Sequence, residues 1–195
     1  MRKAVAIDLD STIFNSYEIT MEIMTNVFGS PRNLKSCHFY DIFQISREEL
    51  NIFWKEYEKD FQQKVYPYKG AGEALQHFHE AGIDITFLTA RTWDECIWTM
   101  ESLTKYGLQF NALVFRKEKT KYCLENDIPI LIDDALEHII PAANAGIRCI
   151  AVAQPYNEMV QPDGIWIFRE RYWSEIEKCV YKILGEEYCR GQITK

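Results

Sequence analysis

The sequence has no apolar stretch approaching the roughly 20 residues of a membrane-spanning helix, which argues against a transmembrane anchor. Its opening, MRKAVAIDLD, reaches charged residues too soon to hold the apolar centre of a signal peptide. The six cysteines (Cys37, Cys96, Cys123, Cys149, Cys179 and Cys189) include no CxxC pair, and no second ligand cluster completes a zinc site. Each cysteine therefore reads as a buried thiol, and the expected compartment is a reducing cytoplasm. Repeats and low-complexity segments are missing as well. With a net charge of −7 and no clear basic patch, extended binding to a nucleic-acid backbone is not expected. A small anion is a different matter, since a few cations and oriented N–H groups can hold it whatever the overall charge.

What is present is an ordinary globular composition, 47% hydrophobic and 26% charged, in 195 residues. That length buries about two-thirds of the unfolded surface and suits one main domain with a small insertion. Lys3–Leu9 (KAVAIDL) is a short apolar run rich in small and β-branched residues, which fits a strand buried on both faces. Similar runs recur at Ile83–Thr89, Ala112–Phe115, Pro129–Ile132 and Ile147–Val152. Between them lie helical patterns at Gly70–Ala81, Thr92–Tyr106, Glu118–Asn126 and Ala135–Ala145, with Gly82, Gly107 and Gly146 where helix C-terminal glycines belong. This alternation predicts an α/β fold, a three-layer Rossmann-like parallel sheet covered by helices. Ligands of such sheets bind outside the carboxyl ends of the strands.

The interval after the first strand breaks the alternation. Tyr17–Phe28 and Ser46–Gln63 read as helices joined by the irregular SPRNLKSCHFYDIFQI, and Ser46 with Glu49 forms a capping box. Residues 14–68 are therefore expected to be an inserted helical cap, with 1–13 and 69–195 forming the core. A short strand near Ile165–Phe168 and a last amphipathic helix over Trp173–Leu184 complete the chain.

The chemistry-bearing residues fall at predicted strand ends. Asp8 and Asp10, in DLDST, close the first strand; two carboxylates so placed repel unless a cation lies between them, and Mg²⁺ suits an all-oxygen set. Thr89 closes a second strand and is followed by Ala90 and Arg91, Lys119 follows a third, and Asp133 and Asp134 close a fourth. The set is much more specific than any member.

This constellation resembles the haloacid dehalogenase superfamily, whose phosphatases carry DxD, a Ser or Thr, a Lys and an acidic pair in this order. Within it, the inserted cap, TAR, the IDDA strand end and the later PYN look like the 5′(3′)-deoxyribonucleotidase type and its bacterial relatives. One departure is Ser11, where the family usually has Gly. The resemblance implies that Asp8 attacks phosphorus, forming an aspartyl-phosphate, while Asp10 protonates the leaving oxygen and later activates water. An acid that must be protonated and then ionised is expected to titrate above the roughly 3.9 of a free Asp. Asp at the second position, where the superfamily's P-type ATPases carry Thr, favours fast hydrolysis of the intermediate.

By the same resemblance Mg²⁺ would be held by the Asp8 carboxylate, the Asp10 backbone carbonyl and Asp134, with Asp133 behind them fixing water or Lys119. Thr89 and the N–H groups after it would bind phosphoryl oxygens, and Lys119 would neutralise charge on Asp8 and the phosphoryl group. Lys117 and Lys121 compete with Lys119 for that role, their other reading being a solvated helix face. Arg91 has two readings, a phosphate clamp or the partner of an acid on its own helix. Phe14, Tyr17, Phe39 and Tyr40 are candidates to stack on a base or sugar, while Phe43 reads as cap core. His38 reads as an ordinary loop residue.

The expected function is hydrolysis of a small nucleoside monophosphate. The alternatives are a phosphatase for another small phosphoester, a polynucleotide 3′-phosphatase, and a non-catalytic phosphate-binding regulator on the same scaffold.

Overall fold

The computed structural model describes residues 2–36 and 38–185; Cys37, Cys189 and the stretch 186–195 that the sequence reading assigns to the core lie outside them. Six strands, β1 (Ala4–Ile7), β2 (Asp84–Thr89), β3 (Ala112–Phe115), β4 (Ile130–Asp133), β5 (Arg148–Val152) and β6 (Ile167–Glu170), form one sheet in the order β3-β2-β1-β4-β5-β6. Every pairing is parallel, with Ile7 beside Phe87 on one side and Ile132 on the other. The sheet is buried on both faces. Val5 and Ile7 join Ile85, Phe87, Ile130 and Ile132 in one apolar cluster, while Ala4 and Ala6 join Leu88, Leu131 and Cys149 in another. Alternation along β1 thus feeds two cores, as the continuous apolar run requires.

The insertion comprises α1 (Ser16–Phe28), α2 (Phe39–Phe43) and α3 (Arg47–Lys64). The capping box at Ser46 is formed, the Glu49 N–H donating to Ser46 Oγ at 3.1 Å and the Ser46 N–H to Glu49 Oε2 at 2.7 Å. Helix α2 lies in the stretch that reads as irregular. Its five residues are too few for a helical period to show, and packing of Phe28 against Phe43, ring centroids 6.3 Å apart, holds it in place. The chain leaves and re-enters the core at one place. Phe14 bridges Pro67, the Asn15 N–H donates to the Tyr66 carbonyl at 3.0 Å, and the Tyr68 N–H donates to the Ile13 carbonyl at 2.8 Å.

The core helices are α4 (Ala71–Glu80), α5 (Cys96–Lys105), α6 (Lys119–Glu125), α7 (Leu136–Asn144) and α8 (Trp173–Leu184). The single pattern Thr92–Tyr106 is divided: a tight turn over Trp93–Glu95, capped by Thr92 and Glu95, precedes α5. Trp173, 2% exposed, donates its indole N–H to the Thr12 carbonyl at 3.1 Å, so α8 braces the loop that follows β1. Cys123, Cys149 and Cys179 are buried thiols, whereas Cys96 is partly exposed. Among the described residues no helix is long and apolar enough to cross a membrane.

Candidate active site

The strand order reverses between β1 and β4, and the crevice outside their carboxyl ends is where such a sheet binds its ligands. Asp8 follows β1, Thr89 ends β2, Asp133 ends β4 and Asp134 comes next. Lys119 opens α6 and is 2% exposed, an unusual burial for lysine that only close counter-charges allow. Its Nζ donates to Asp8 Oδ1 at 2.5 Å and to Asp133 Oδ2 at 2.6 Å. Burial alone would lower the Lys119 pKa, but the Asp133 and Asp8 carboxylates more than reverse this and hold the ammonium charged. Lys117 and Lys121 are exposed, so the lysine brought to the acids is Lys119.

Carboxylate oxygens of Asp8, Asp133 and Asp134 lie within 4.8 Å of one another in a buried cluster. Burial is the main reason the Asp8 carboxyl is pushed up to about 7; Lys119 pulls it down, while Asp133 and Asp10 push it further up. Asp134 is raised well above the usual carboxylate range, by burial first and then by Asp133 and Asp8. Crowded oxygen ligands with excess negative charge fit a hard dication such as Mg²⁺, whose charge would offset that repulsion. Asp133 is the acid tied to Lys119, and it also accepts the Ala135 N–H at 2.9 Å.

Asp134 is held from several sides. Thr12 Oγ1 donates to its Oδ1 at 3.1 Å, the Tyr156 hydroxyl donates to its Oδ2, and Asn157 Nδ2 donates to its backbone carbonyl at 2.8 Å. Tyr156 and Asn157 belong to PYN, just beyond β5, and the same strand-end rule that picks out the acids would have picked them out. Thr12 carries no comparable sequence signal.

Asp10 differs from the sequence expectation. Arg91 Nε and Nη2 donate to its Oδ2 and Oδ1, both at 2.7 Å, and Ser16 Oγ donates to Oδ1 at 2.7 Å. Burial would raise the Asp10 carboxyl, but the Arg91 guanidinium, its hydrogen bonds and that of Ser16 hold it below its ordinary value rather than above it. Arg91 thus pairs with an acid across the site, not on its own helix. It also donates to Thr99 Oγ1 at 3.0 Å and stacks 3.9 Å from the Trp98 ring centre. The Arg91 N–H bonds Thr89 Oγ1 at 3.1 Å, which fixes the Thr89–Ala90–Arg91 turn.

Ser11 has φ of 58°, in the left-handed region where glycine is at ease, and this accounts for the glycine usual at that point. The strain, of order 1 kcal/mol, is held by Gln154, whose Nε2 donates to the Ser11 carbonyl at 2.8 Å.

A cavity of about 270 Å³ adjoins Asp10 between the insertion and α5. Tyr17, Phe39, Trp54, Phe61 and Trp98 supply its aromatic wall, and Glu58 and Glu95 are its further acids. Phe14 and Tyr40 are not in that wall. Phe14 is fully buried, 6.2 Å from the Tyr106 ring, and Tyr40 is stacked on His38 at 5.2 Å with Arg47 above it. Trp54, Phe61 and Trp98 escape sequence reading because their helical spacing is equally that of core residues. A larger groove of about 950 Å³, bounded by Tyr68, Gln154, Arg169 and Tyr172, has none of Asp8, Asp10, Asp133 or Asp134 in its wall.

No protein-family model matches the chain. In sequence it is 33% identical over 118 residues to the class B acid phosphatase of Marinomonas sp. (strain MWYL1), which covers 56% of this chain and 50% of that one. The chain thus spans about half the length of the curated relative it matches. Among solved structures it superposes on a predicted phosphatase from Clostridium acetobutylicum with a TM-score of 0.67 at 18% identity, covering 95% of this chain and 99% of that one. A conserved haloacid dehalogenase-like protein from Agrobacterium tumefaciens gives 0.68 at 13% identity, with 94% and 100% covered. A family IA hydrolase of the haloacid dehalogenase type from Entamoeba histolytica gives 0.61 at 19%, with 94% and 100% covered. The fold is that of the haloacid dehalogenase-type hydrolases.

Proposed function

We propose that the protein is a Mg²⁺-dependent phosphomonoester hydrolase acting through an aspartyl-phosphate on Asp8, with a small nucleoside monophosphate as substrate. The observation that carries this reading is the buried Lys119 bridging Asp8 and Asp133, with Asp134 alongside, at the carboxyl ends of adjacent parallel strands. A carboxylate needed only for folding would not be buried among like charges. Similarity to a class B acid phosphatase supports the same reaction class. The aromatic cavity beside Asp10 supports a ring-bearing leaving group.

Asp8 Oδ attacks phosphorus as the P–O ester bond breaks, and the leaving oxygen takes a proton from Asp10. Water then attacks the acyl phosphate, giving its proton to Asp10 and releasing inorganic phosphate. Lys119, hydrogen-bonded to Asp8, orients it for attack and offsets negative charge there and on the phosphoryl group. Thr89 and the turn after it offer donors to the phosphoryl oxygens. Asp8, Asp134 and the Asp10 carbonyl would hold Mg²⁺, whose charge would offset that of the phosphoryl group. Since Asp10 is ion-paired with Arg91, the bond between them must loosen before Asp10 carries a proton. A phosphate dianion drawing Arg91 towards itself does this.

Phosphate release from nucleoside monophosphates should require Mg²⁺ and stop in excess EDTA; full turnover in the chelator would refute the metal assignment. Ca²⁺ should inhibit, because its looser and more numerous ligands disturb in-line attack. Undiminished turnover with Ca²⁺ alone would contradict that geometry.

The roles of Asp10 as acid and as base separate in Asp10→Asn. An aryl phosphate needs little protonation on leaving, so it should still phosphorylate Asp8, while hydrolysis of the intermediate should lag for want of a base. Rapid mixing should show a stoichiometric burst of phenol followed by slow phosphate release. An unchanged steady state would assign the proton transfers to another residue.

A further inference from the structure

The charged residues in the wall of the cavity beside Asp10 are Asp10, Glu58, Arg91 and Glu95. Arg91 is already committed to Asp10 through two hydrogen bonds, so that pair is close to neutral. Among the described residues Glu58 accepts the neutral Gln62 amide, at 3.1 Å, and Glu95 accepts the Thr92 N–H and hydroxyl at 2.6 and 3.0 Å. Neither forms an ion pair among the described residues. Lys55 and Lys59, the cations next to Glu58 on α3, are exposed and outside the wall.

A second observation concerns polar atoms that need a ligand. The Tyr17 hydroxyl and the Trp98 indole nitrogen are buried with no hydrogen-bond partner among the described residues, and both side chains line this cavity. Tyr17 is 7% exposed. An indole N–H can only donate, so what satisfies it is an acceptor. Leaving such groups unpaired is costly, and a small shift of these side chains towards a ligand that supplies acceptors would recover the cost.

We infer that this cavity selects, among phosphomonoesters, those whose leaving group is uncharged, ring-bearing and furnished with hydrogen-bond acceptors, and that Glu58 and Glu95 reject leaving groups carrying a second phosphate. This rests on the hydrolase reading for its biological meaning. The selectivity itself is a binding property. A second phosphate in the cavity meets Glu58 and Glu95 while Arg91 is already taken up by Asp10 and the first phosphate, and like charges brought together without a counter-ion are strongly disfavoured. Mononucleosides with neutral bases fit; nucleoside bisphosphates and phosphorylated strand ends do not.

The test is calorimetric, with the full chain carrying Asp8→Asn to prevent turnover, in Mg²⁺, using thymidine 5′-monophosphate and thymidine 3′,5′-bisphosphate. The monophosphate is expected to bind at least about tenfold more tightly at low salt, with the ratio shrinking as salt rises and screens the carboxylates. Adding Glu58→Gln and Glu95→Gln should bring the ratio to within about threefold. Glu56→Gln, the same charge change on the same helix but outside the wall, should leave it unmoved. Equal affinities, failure of either nucleotide to bind, or an equal shift from Glu56→Gln would each overturn the inference. Wild-type protein that releases no phosphate while the binding ratio holds would sink the hydrolase reading alone.

Discussion

Asp8→Asn is expected to lower phosphate release by about 10⁴-fold or more, a loss on the scale seen when a covalent nucleophile is removed. The amide cannot attack phosphorus, and it also takes a ligand from the metal position. The fold should survive. In the wild type, burial pushes the Asp8 carboxyl up to about 7. The native state therefore holds a proton that the unfolded chain has lost between the ordinary carboxylate pKa and about 7. In that window stability falls as pH rises, because the unfolded state binds fewer protons than the native one. Replacing the carboxylate by a neutral isostere removes that penalty. In metal-free buffer at neutral pH the variant should melt at or above the wild-type temperature. A variant that turned over at wild-type rates would dismiss Asp8 as nucleophile, and one that failed to fold would mean that the ionised pair with Lys119 is needed to build the site.

Lys119→Met should have the second large effect, on stability as well as on rate. Lys119 is the shared partner of two acids whose side chains are 7% and 1% exposed, Asp8 and Asp133. Removing one member of a buried ion cluster leaves charges unpaired and typically costs about 3–5 kcal/mol, a large share of a domain's stability. Denaturant melts in EDTA should show the loss directly. Because the damage comes from stranded carboxylates, adding Asp8→Asn to Lys119→Met should recover part of it, a non-additivity that a packing defect would not show. Phosphate release should fall with the single change. Lys117→Ala and Lys121→Ala, at exposed positions, should leave both measurements near wild type.

The sheet and most of the acid cluster are legible in the sequence because short apolar strands, helical periods and strand ends repeat regularly. Asp8, Thr89, Asp133 and Asp134 share one edge because the parallel order of β1, β2 and β4 brings their carboxyl ends together, and Lys119, which opens α6 after β3, reaches Asp8 and Asp133 by its long side chain. Strand limits shift slightly: β4 takes in Asp133 itself, and β6 begins at Ile167 rather than near Ile165. What composition and spacing do not carry is side-chain choice between partners far apart in sequence. Arg91 and Asp10 are such a case, and their pairing turns the expected pKa shift of Asp10 downward. The aromatic wall is another, since Trp54 and Phe61 come from α3 and Trp98 from α5, elements that only the folded chain brings to one cavity.

The stitching at Ile13–Asn15 and Tyr66–Tyr68 has a consequence for how such a chain diversifies. Because Tyr68 hydrogen-bonds Ile13 directly, the polypeptide path through the core is nearly continuous across the insertion, and some fifty residues could be exchanged for another excursion without moving the sheet. The two crossings lie side by side, so they serve as a single pivot. Phe14, which bridges Pro67, also bridges Asp10, and a tilt of the insertion therefore reaches Asp10 through one shared position. An occupant of the cavity that tilted the insertion would shift Asp10 through the backbone itself.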